Sequence, residues 1–331
     1  MDFLFEDVAI NSNEPDTVFF KSEYVDFIRI NSTISDSVAF ALAIYKPRKP
    51  SPILLLSHGW HMSLLAPKPE TESLNPNFLV VQVDMRGRQY STGQPDCNGF
   101  ELYDFYDAYR YVISQYAEYI TDPSQVYFMG GSGGGGNGYG LVGKFPDLFC
   151  SAMISSGISD YALWFEADSI GEFRDEMIPW IGVSPEESAQ AYQSRSGITT
   201  VENVLTPLYV AHGETDMRVS VVQSRIYYQK ARKLKKMIEY KEFAGVGARR
   251  HWSNMTKEQQ IEKDAFRIKA LETRMSPELP VSGELVVAGF LVTKHFSVFM
   301  NSIDEVGRIR YDLKRKKLIF LKGSGKVIWK I

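Results

Sequence analysis

Hydrophobic and polar positions along the chain change period near residue 48. Before it, "YVDFIRINSTISDSVAFALAIYKP" (Tyr24–Pro47) alternates polar and apolar around the turn residues Ser35, Asp36 and Ser37, which predicts antiparallel strands. After the punctuation "KPRKPSP", short and nearly continuous apolar runs take over: "ILLLSHG" (53–59), "FLVVQVD" (78–84), "QVYFMG" (125–130), "CSAMISSG" (150–157) and "PLYVAHG" (207–213). Runs of this kind suit parallel strands buried on both faces. Amphipathic text lies between them, as in "ELYDFYDAYRYVISQYAEY" (101–119), where apolar and aromatic residues recur at helical spacing. Strand–helix alternation predicts an α/β fold with a doubly wound, mostly parallel sheet. The alternation lapses over 158–206, an aromatic and acidic helical insertion placed where a lid belongs. "NMTKEQQIEKDAFRIKALETRM" (254–275) predicts a last helix, and the text from Gly283 to Ile331 is β-rich again. The expected organisation is N-terminal antiparallel strands of the core sheet (1–48), a catalytic core (49–275, with the lid 158–206) and a small β-rich appendage (280–331).

Composition narrows the partners. With 331 residues, 44% of them apolar and 23% charged, the chain can build a sizeable core. A net charge of −3 argues against a nucleic-acid or anionic-membrane surface. The basic run "RKLKKM" (232–237) reads as the solvated face of a helix. The two cysteines, Cys97 and Cys150, leave room for one disulfide but have no metal-type spacing, so neither a metal nor a cofactor is expected. The opening "MDFLFEDVAINSNEPD" lacks the basic-then-apolar layout of a signal peptide, and no stretch of about 18 apolar residues occurs. A cytoplasmic location is therefore the expectation.

The densest chemical signal is "YFMGGSGGGGNGYG" (127–140), in which seven of the nine residues from Gly130 to Gly138 are glycine. A P-loop needs Lys followed by Ser or Thr, but Lys144 is followed by Phe145. Gly131, Gly133 and Gly136 satisfy a dinucleotide fingerprint, but the next strand ends "MISSG" without the ribose-binding acid. Strand text before and helix text after exclude a linker. The remaining reading is a nucleophile elbow, Gly130-Gly131-Ser132-Gly133-Gly134, where a strained turn lifts Ser132 clear of the sheet and glycines relieve the crowding.

A serine hydroxyl needs a base and an orienter for that base. "LYVAHGETDMRVS" offers Asp216, with Glu214 as a rival nearer the strand end. "IEYKEFAGVGARRHWS" offers His251 after the next strand, just ahead of the last helix. His212 precedes the acid and reads as a strand-end residue that orders the loop; His295 lies in an alternating run of the appendage and reads as structural.

Ser132 in "GGSGGG", Asp216 in "HGETDMRVSVVQS" and His251 before the last helix resemble the catalytic domain of the prolyl oligopeptidase family of α/β-hydrolases. "DMRGRQYSTG" (84–93) and "PEESAQAYQSRSGITTVENVLTPLYVAHG" (185–213) are similar to that family too, and the likeness runs roughly from Asp26 to Met275. It implies an α/β-hydrolase fold with Ser132 as nucleophile, His251 as base and Asp216 as orienter. "GVGARRHW" departs from the plainer glycine–histidine wording and adds Arg249 and Arg250 beside the histidine. The family's oligopeptidases also carry an N-terminal β-propeller, which about 48 residues ahead of the core are too few to encode.

From this follow the functional expectations. The chemistry is acyl transfer through an acyl-enzyme, with the N–H groups of Gly133 and Trp60 as oxyanion donors. Substrate-binding candidates are His61, Trp164, Trp180, Arg249 and Trp252, the tryptophans suited to an acyl group or a sugar ring. Arg86 and Arg88 brace the loop after the second parallel strand. An esterase or glycan deacetylase is the main expectation, a peptidase acting on short peptides the alternative, and an inactive binding module the third reading. Partners are then a small ester, an acylated sugar or a short peptide, with a homo-oligomer through the appendage as an option.

Overall fold

The computed structural model describes residues 18–73, 75–168 and 171–330. The opening segment read for a leader and the first part of the expected N-terminal strands lie outside these residues, as do two positions of the lid text. Two compact units emerge, residues 1–95 with 101–123, and residues 96–100 with 124–331. They do not follow the divisions expected at 48 and 275–280.

In the first unit, β1 (Phe20–Lys21), β2 (Val25–Asn31) and β3 (Ala39–Tyr45) form the expected antiparallel meander, β2 and β3 pairing from Val25↔Tyr45 to Asn31↔Ala39. β3 continues antiparallel onto β5 (Leu79–Asp84), which pairs in parallel with β4 (Ile53–Ser57), in the order β1-β2-β3-β5-β4. β4 and β5 are buried because their residues are apolar on both faces, as their unbroken runs require. The helix α1 (Glu101–Gln115) stops four residues before the end of its amphipathic text, which closes as a 3₁₀ turn at Ala117–Tyr119. Arg86 is bound by Asp104 at 2.6 Å, and Arg88 lies 3.6 Å from Glu101 while donating to the Trp60 carbonyl at 3.1 Å. Arg86 thus ties the loop after β5 to α1, and Arg88 ties that loop both to α1 and to the loop after β4.

In the second unit, β6 (Val126–Gly131), β7 (Ser151–Ser155), β8 (Leu208–Gly213) and β9 (Ile238–Phe243) pair in parallel in chain order. Between β6 and β7 runs α2 (Gly133–Lys144). The text between β7 and β8 folds into α3 (Tyr161–Ala167), α4 (Arg174–Ile181), α5 (Ala189–Arg195) and a 3₁₀ stretch at Gly197–Asn203. The Asp168 carboxylate accepts the N–H groups of Gly171, Phe173 and Arg174, so one acid closes the turn that starts α4. After β8 comes α6 (Val222–Lys233); the run at 232–237 is thus helical only to Lys233 and then turns, Lys235 having φ 55°. The last core helix, α7 (Lys257–Glu272), starts at a capping box made by Thr256 and Gln259. It buries Phe266 and Ala270 against Met153, Tyr209, Ala211 and Phe243. Cys97 and Cys150 are both buried and not bonded to each other, so the optional disulfide does not form.

The C-terminal text forms six antiparallel strands: β10 (Ser282–Ala288), β11 (Phe290–Val292), β12 (Phe296–Met300), β13 (Val306–Asp312), β14 (Lys317–Lys322) and β15 (Gly325–Trp329), in the order β14-β13-β10-β11-β12-β15. Its own core includes Leu285, Val287, Leu291, Phe296, Val298 and Ile309. This sheet packs on the rest of its unit. Asn203 gives its amide to the Val286 carbonyl at 2.8 Å and accepts the Val286 N–H at 2.9 Å, while Lys144 Nζ donates to the Ala288 carbonyl at 2.5 Å. His295 sits exposed in the turn between β11 and β12.

Candidate active site

Ser132 stands at the junction of β6 and α2, at the carboxyl end of the parallel strands, with φ 56° and ψ −124°. A non-glycine residue rarely adopts that backbone, and it survives here because the surroundings fix it. The Ser132 N–H donates to the Ser155 carbonyl at 2.9 Å, and its own carbonyl accepts the Gly136 N–H at 3.0 Å. Glycine is required at position 130: a Cβ there would lie 2.3 Å from the Gly134 carbonyl oxygen. At position 131 a Cβ would meet nothing closer than 3.5 Å, so that glycine is not forced by contact. The first turn of α2 presents amides that no intrahelical carbonyl takes, Gly133 N–H among them. Asn137 interrupts the glycines to donate to Asn98 Oδ1 at 2.7 Å, and Asn98 in turn donates to the Gly136 carbonyl at 2.9 Å. This pair anchors the helix from its second turn. Among the described residues Ser132 Oγ has no hydrogen-bond partner, so it is half-buried and unengaged at rest.

Asp216 and His251 meet in the loops that follow β8 and β9. His251 Nδ1 lies 2.6 Å from Asp216 Oδ2. A carboxylate can only accept, so Nδ1 carries the hydrogen and Nε2 keeps its lone pair. Oδ1 of the same carboxylate accepts the N–H groups of Arg218 at 3.0 Å and Val219 at 3.1 Å. Burial by itself raises the Asp216 pKa, but the imidazoles of His212 and His251 outweigh it, and the group ends well below the usual carboxylate range. The acid is therefore ionised throughout the neutral range. Glu214, the rival acid, is exposed and accepts the Gly245 N–H at 2.9 Å, a loop brace.

The two loops touch backbone to backbone. Thr215 N–H donates to the Val246 carbonyl at 2.9 Å. Gly247 has φ +112°, and a Cβ there would sit 2.7 Å from both N and Cα of Asp216. The departure "GVGARRHW" is thus a glycine that lets the histidine loop press on the acid. Ser253 Oγ accepts the N–H groups of Arg249 at 3.0 Å and Arg250 at 3.2 Å, closing the turn that carries His251.

The other named residues divide. Trp164 is 3% exposed, stacks on Phe173 at 4.4 Å and gives its indole N–H to the Arg218 carbonyl at 3.0 Å. It ties the helical insertion to the acid's loop. Arg218 also pairs with Glu172 at 2.5 Å. Trp252 packs edge-on to Phe243 with centroids 6.0 Å apart, beneath Lys263 Nζ at 4.3 Å, so its ring serves the packing of α7. Trp180 is half-buried on α4, and Arg249 is exposed. Trp60 and His61, in the first unit, are each 6% exposed. His58, two residues before Trp60, is a group that the reading of motifs passed over. It is half-buried with Nδ1 2.9 Å from the Gly59 carbonyl, its enclosed Nε2 has no partner among the described residues, and burial of the ring with the nearby Arg88 charge lowers its pKa to about 3. It is a neutral ring in the loop after β4.

Comparison with known proteins bears on the family and the fold. The profile of the prolyl oligopeptidase family matches residues 59–270. The chain is 28% identical over 162 residues to "Uncharacterized peptidase YtmA" of Bacillus subtilis, an alignment spanning 49% of this chain and 61% of that protein. Among solved structures, the acylaminoacyl peptidase of Pyrococcus horikoshii superposes with TM-score 0.63 and 20% identity, over 80% of this chain and 43% of that one. A puromycin-hydrolyzing peptidase of Mycobacterium tuberculosis gives TM-score 0.62 and 18% identity, over 76% and 40%. The chain thus spans less than two thirds of the relatives it matches. The shared fold is the α/β-hydrolase fold. All three relatives carry peptidase names, and the expected preference for esters finds no support among them.

Proposed function

The chain belongs to the prolyl oligopeptidase family and is a serine hydrolase, and from that premise we propose that it is a peptidase cleaving short peptides through a Ser132–His251–Asp216 triad. The observation that carries the reading is the 2.6 Å hydrogen bond between His251 Nδ1 and Asp216 Oδ2, formed in the loops that follow β8 and β9, the second and third strands over from the β6 that ends in the Ser132 turn. That bond fixes the imidazole tautomer and leaves Nε2 as the base. Ser132 Oγ attacks the scissile carbonyl while His251 Nε2 takes its proton. Catalytic hydrogen bonds often tighten only when substrate is bound, which accords with a serine unengaged at rest. Gly133 N–H, on the first turn of α2, stabilises the oxyanion. His251 then protonates the leaving amine, and water, activated by the same imidazole, releases the acyl group.

The test pairs a label with a substrate panel. A fluorophosphonate is expected to modify Ser132 and to leave Ser132→Ala unmodified, with a rate loss of about a millionfold in that variant. Equal labelling of the alanine variant sinks the assignment of the nucleophile. Aminoacyl-p-nitroanilides and short peptides are expected to turn over alongside p-nitrophenyl acetate. Turnover of the acetate alone returns the protein to the esterases, and turnover of nothing returns it to a binding role.

A further inference from the structure

We propose that His212 is a positioning residue for this reaction, holding Asp216 in register with the nucleophile's helix through buried hydrogen bonds that run from Tyr139 through Ser224. The proposal rests on the triad reading above. His212, Ser224 and Tyr139 are all fully buried. They come from three elements: β8, the first turn of α6, and α2 about two turns beyond Ser132.

His212 Nε2 lies 2.9 Å from the Val219 carbonyl and 3.5 Å from Asp216 Oδ2. Both neighbours only accept, so Nε2 carries a hydrogen, given to the carbonyl and leaning on the carboxylate. The carboxylate oxygen involved is the one that accepts His251 Nδ1. On the other side of the ring, Nδ1 lies 2.7 Å from Ser224 Oγ, which is 3.1 Å from the Tyr139 hydroxyl. With a neutral ring the polarity is then set: Tyr139 donates to Ser224, Ser224 to His212, and His212 toward the acid's loop. The Tyr139 ring is itself clamped against Tyr227, centroids 4.1 Å apart. By holding the Val219 carbonyl, His212 also closes the loop whose amides bind Asp216 Oδ1. The nucleophile's helix and the acid's loop are thereby joined by side chains 73 to 85 residues apart in sequence. The plane of the catalytic imidazole follows from where that carboxylate sits.

The experiment uses the full chain carrying His212→Gln, Ser224→Ala or Tyr139→Phe, with active sites counted by fluorophosphonate at Ser132. His212→Gln is expected to lower kcat per counted site about 100-fold, Ser224→Ala about tenfold and Tyr139→Phe less, with KM within about twofold throughout. The downfield proton resonance of His251 Nδ1–H is expected to shift in the same order. A role in stability alone would lower the melting temperature and the number of countable sites while leaving kcat per site and that resonance as in the wild type; this outcome overturns the proposal. If His212→Gln fails to fold, the two hydroxyl deletions decide by the same readouts. Wild-type protein that does not label at Ser132 sinks the triad itself, an outcome distinct from unchanged kinetics in the three variants.

Discussion

The turn at Ser132 and the loops at Asp216 and His251, joined in the proposed triad, are built by opposite means. The turn is local: strand, glycine, serine and helix follow one another within a few residues, and the critical contact is between Gly130 and Gly134. The loops are distant: Asp216 and His251 lie 35 residues apart, after two different strands, and are joined by Gly247 against the backbone of Asp216. A strained turn can be written in a motif because its energy is steric and near in sequence. An acid–base pair depends on where two strands end, which is a property of the sheet.

The largest effect that separates the two regions is Asp216→Asn. It leaves the Ser132 turn untouched and removes the acceptor that selects the His251 tautomer, so kcat is expected to fall about 10⁴-fold with the fold intact. Circular dichroism together with kcat checks this, and a loss under tenfold would put the orienter elsewhere. Lys144 tests the far end of the nucleophile's helix. Burial lowers its pKa to about 7, the Arg195 charge adds to this, and Asp96 opposes it. The unfolded chain therefore binds a proton that the folded chain releases between about pH 7 and 10.5, and stability rises with pH across that window. The difference in melting temperature between wild type and Lys144→Met is expected to change across it. The variant should gain a few kcal/mol on the wild type below pH 7. A difference that is flat with pH contradicts a depressed lysine.

Gly130→Ala attacks the turn itself and is expected to destabilise by about 2 kcal/mol or more, since the obstacle is backbone and cannot swing away. Urea unfolding measures it. Gly131→Ala, one residue on, is expected to change stability by less than about 0.5 kcal/mol because its Cβ meets only ordinary contacts. If the two alanines cost the same, the close approach at Gly130 is not what demands glycine there.

The ester preference expected from the sequence finds no support among the relatives, which carry peptidase names. The tryptophans teach a similar lesson. Trp164 and Trp252 are expected at the substrate because they are large and near the motifs, and each has a packing partner, Trp164 stacking on Phe173 and Trp252 lying under Lys263. Aromatic residues stabilise lids and helix junctions by the same buried area that would bind a ligand, so their type does not tell the two uses apart.

By itself the sequence determined the order of strands and helices, the antiparallel start, the strained serine turn, and Asp216 and His251 as the residues in the loops after two later strands. Periodicity and steric demand act between near neighbours and leave their mark in the text. Only the tertiary structure decided that Lys144 is buried beneath the C-terminal sheet, that His58 is a neutral ring with no partner at Nε2 among the described residues, and that Tyr139, Ser224 and His212 form one chain behind the acid. Those are contacts between residues tens of positions apart, and hydrogen bonds of that range are set by how helices pack on a sheet, which no short pattern encodes.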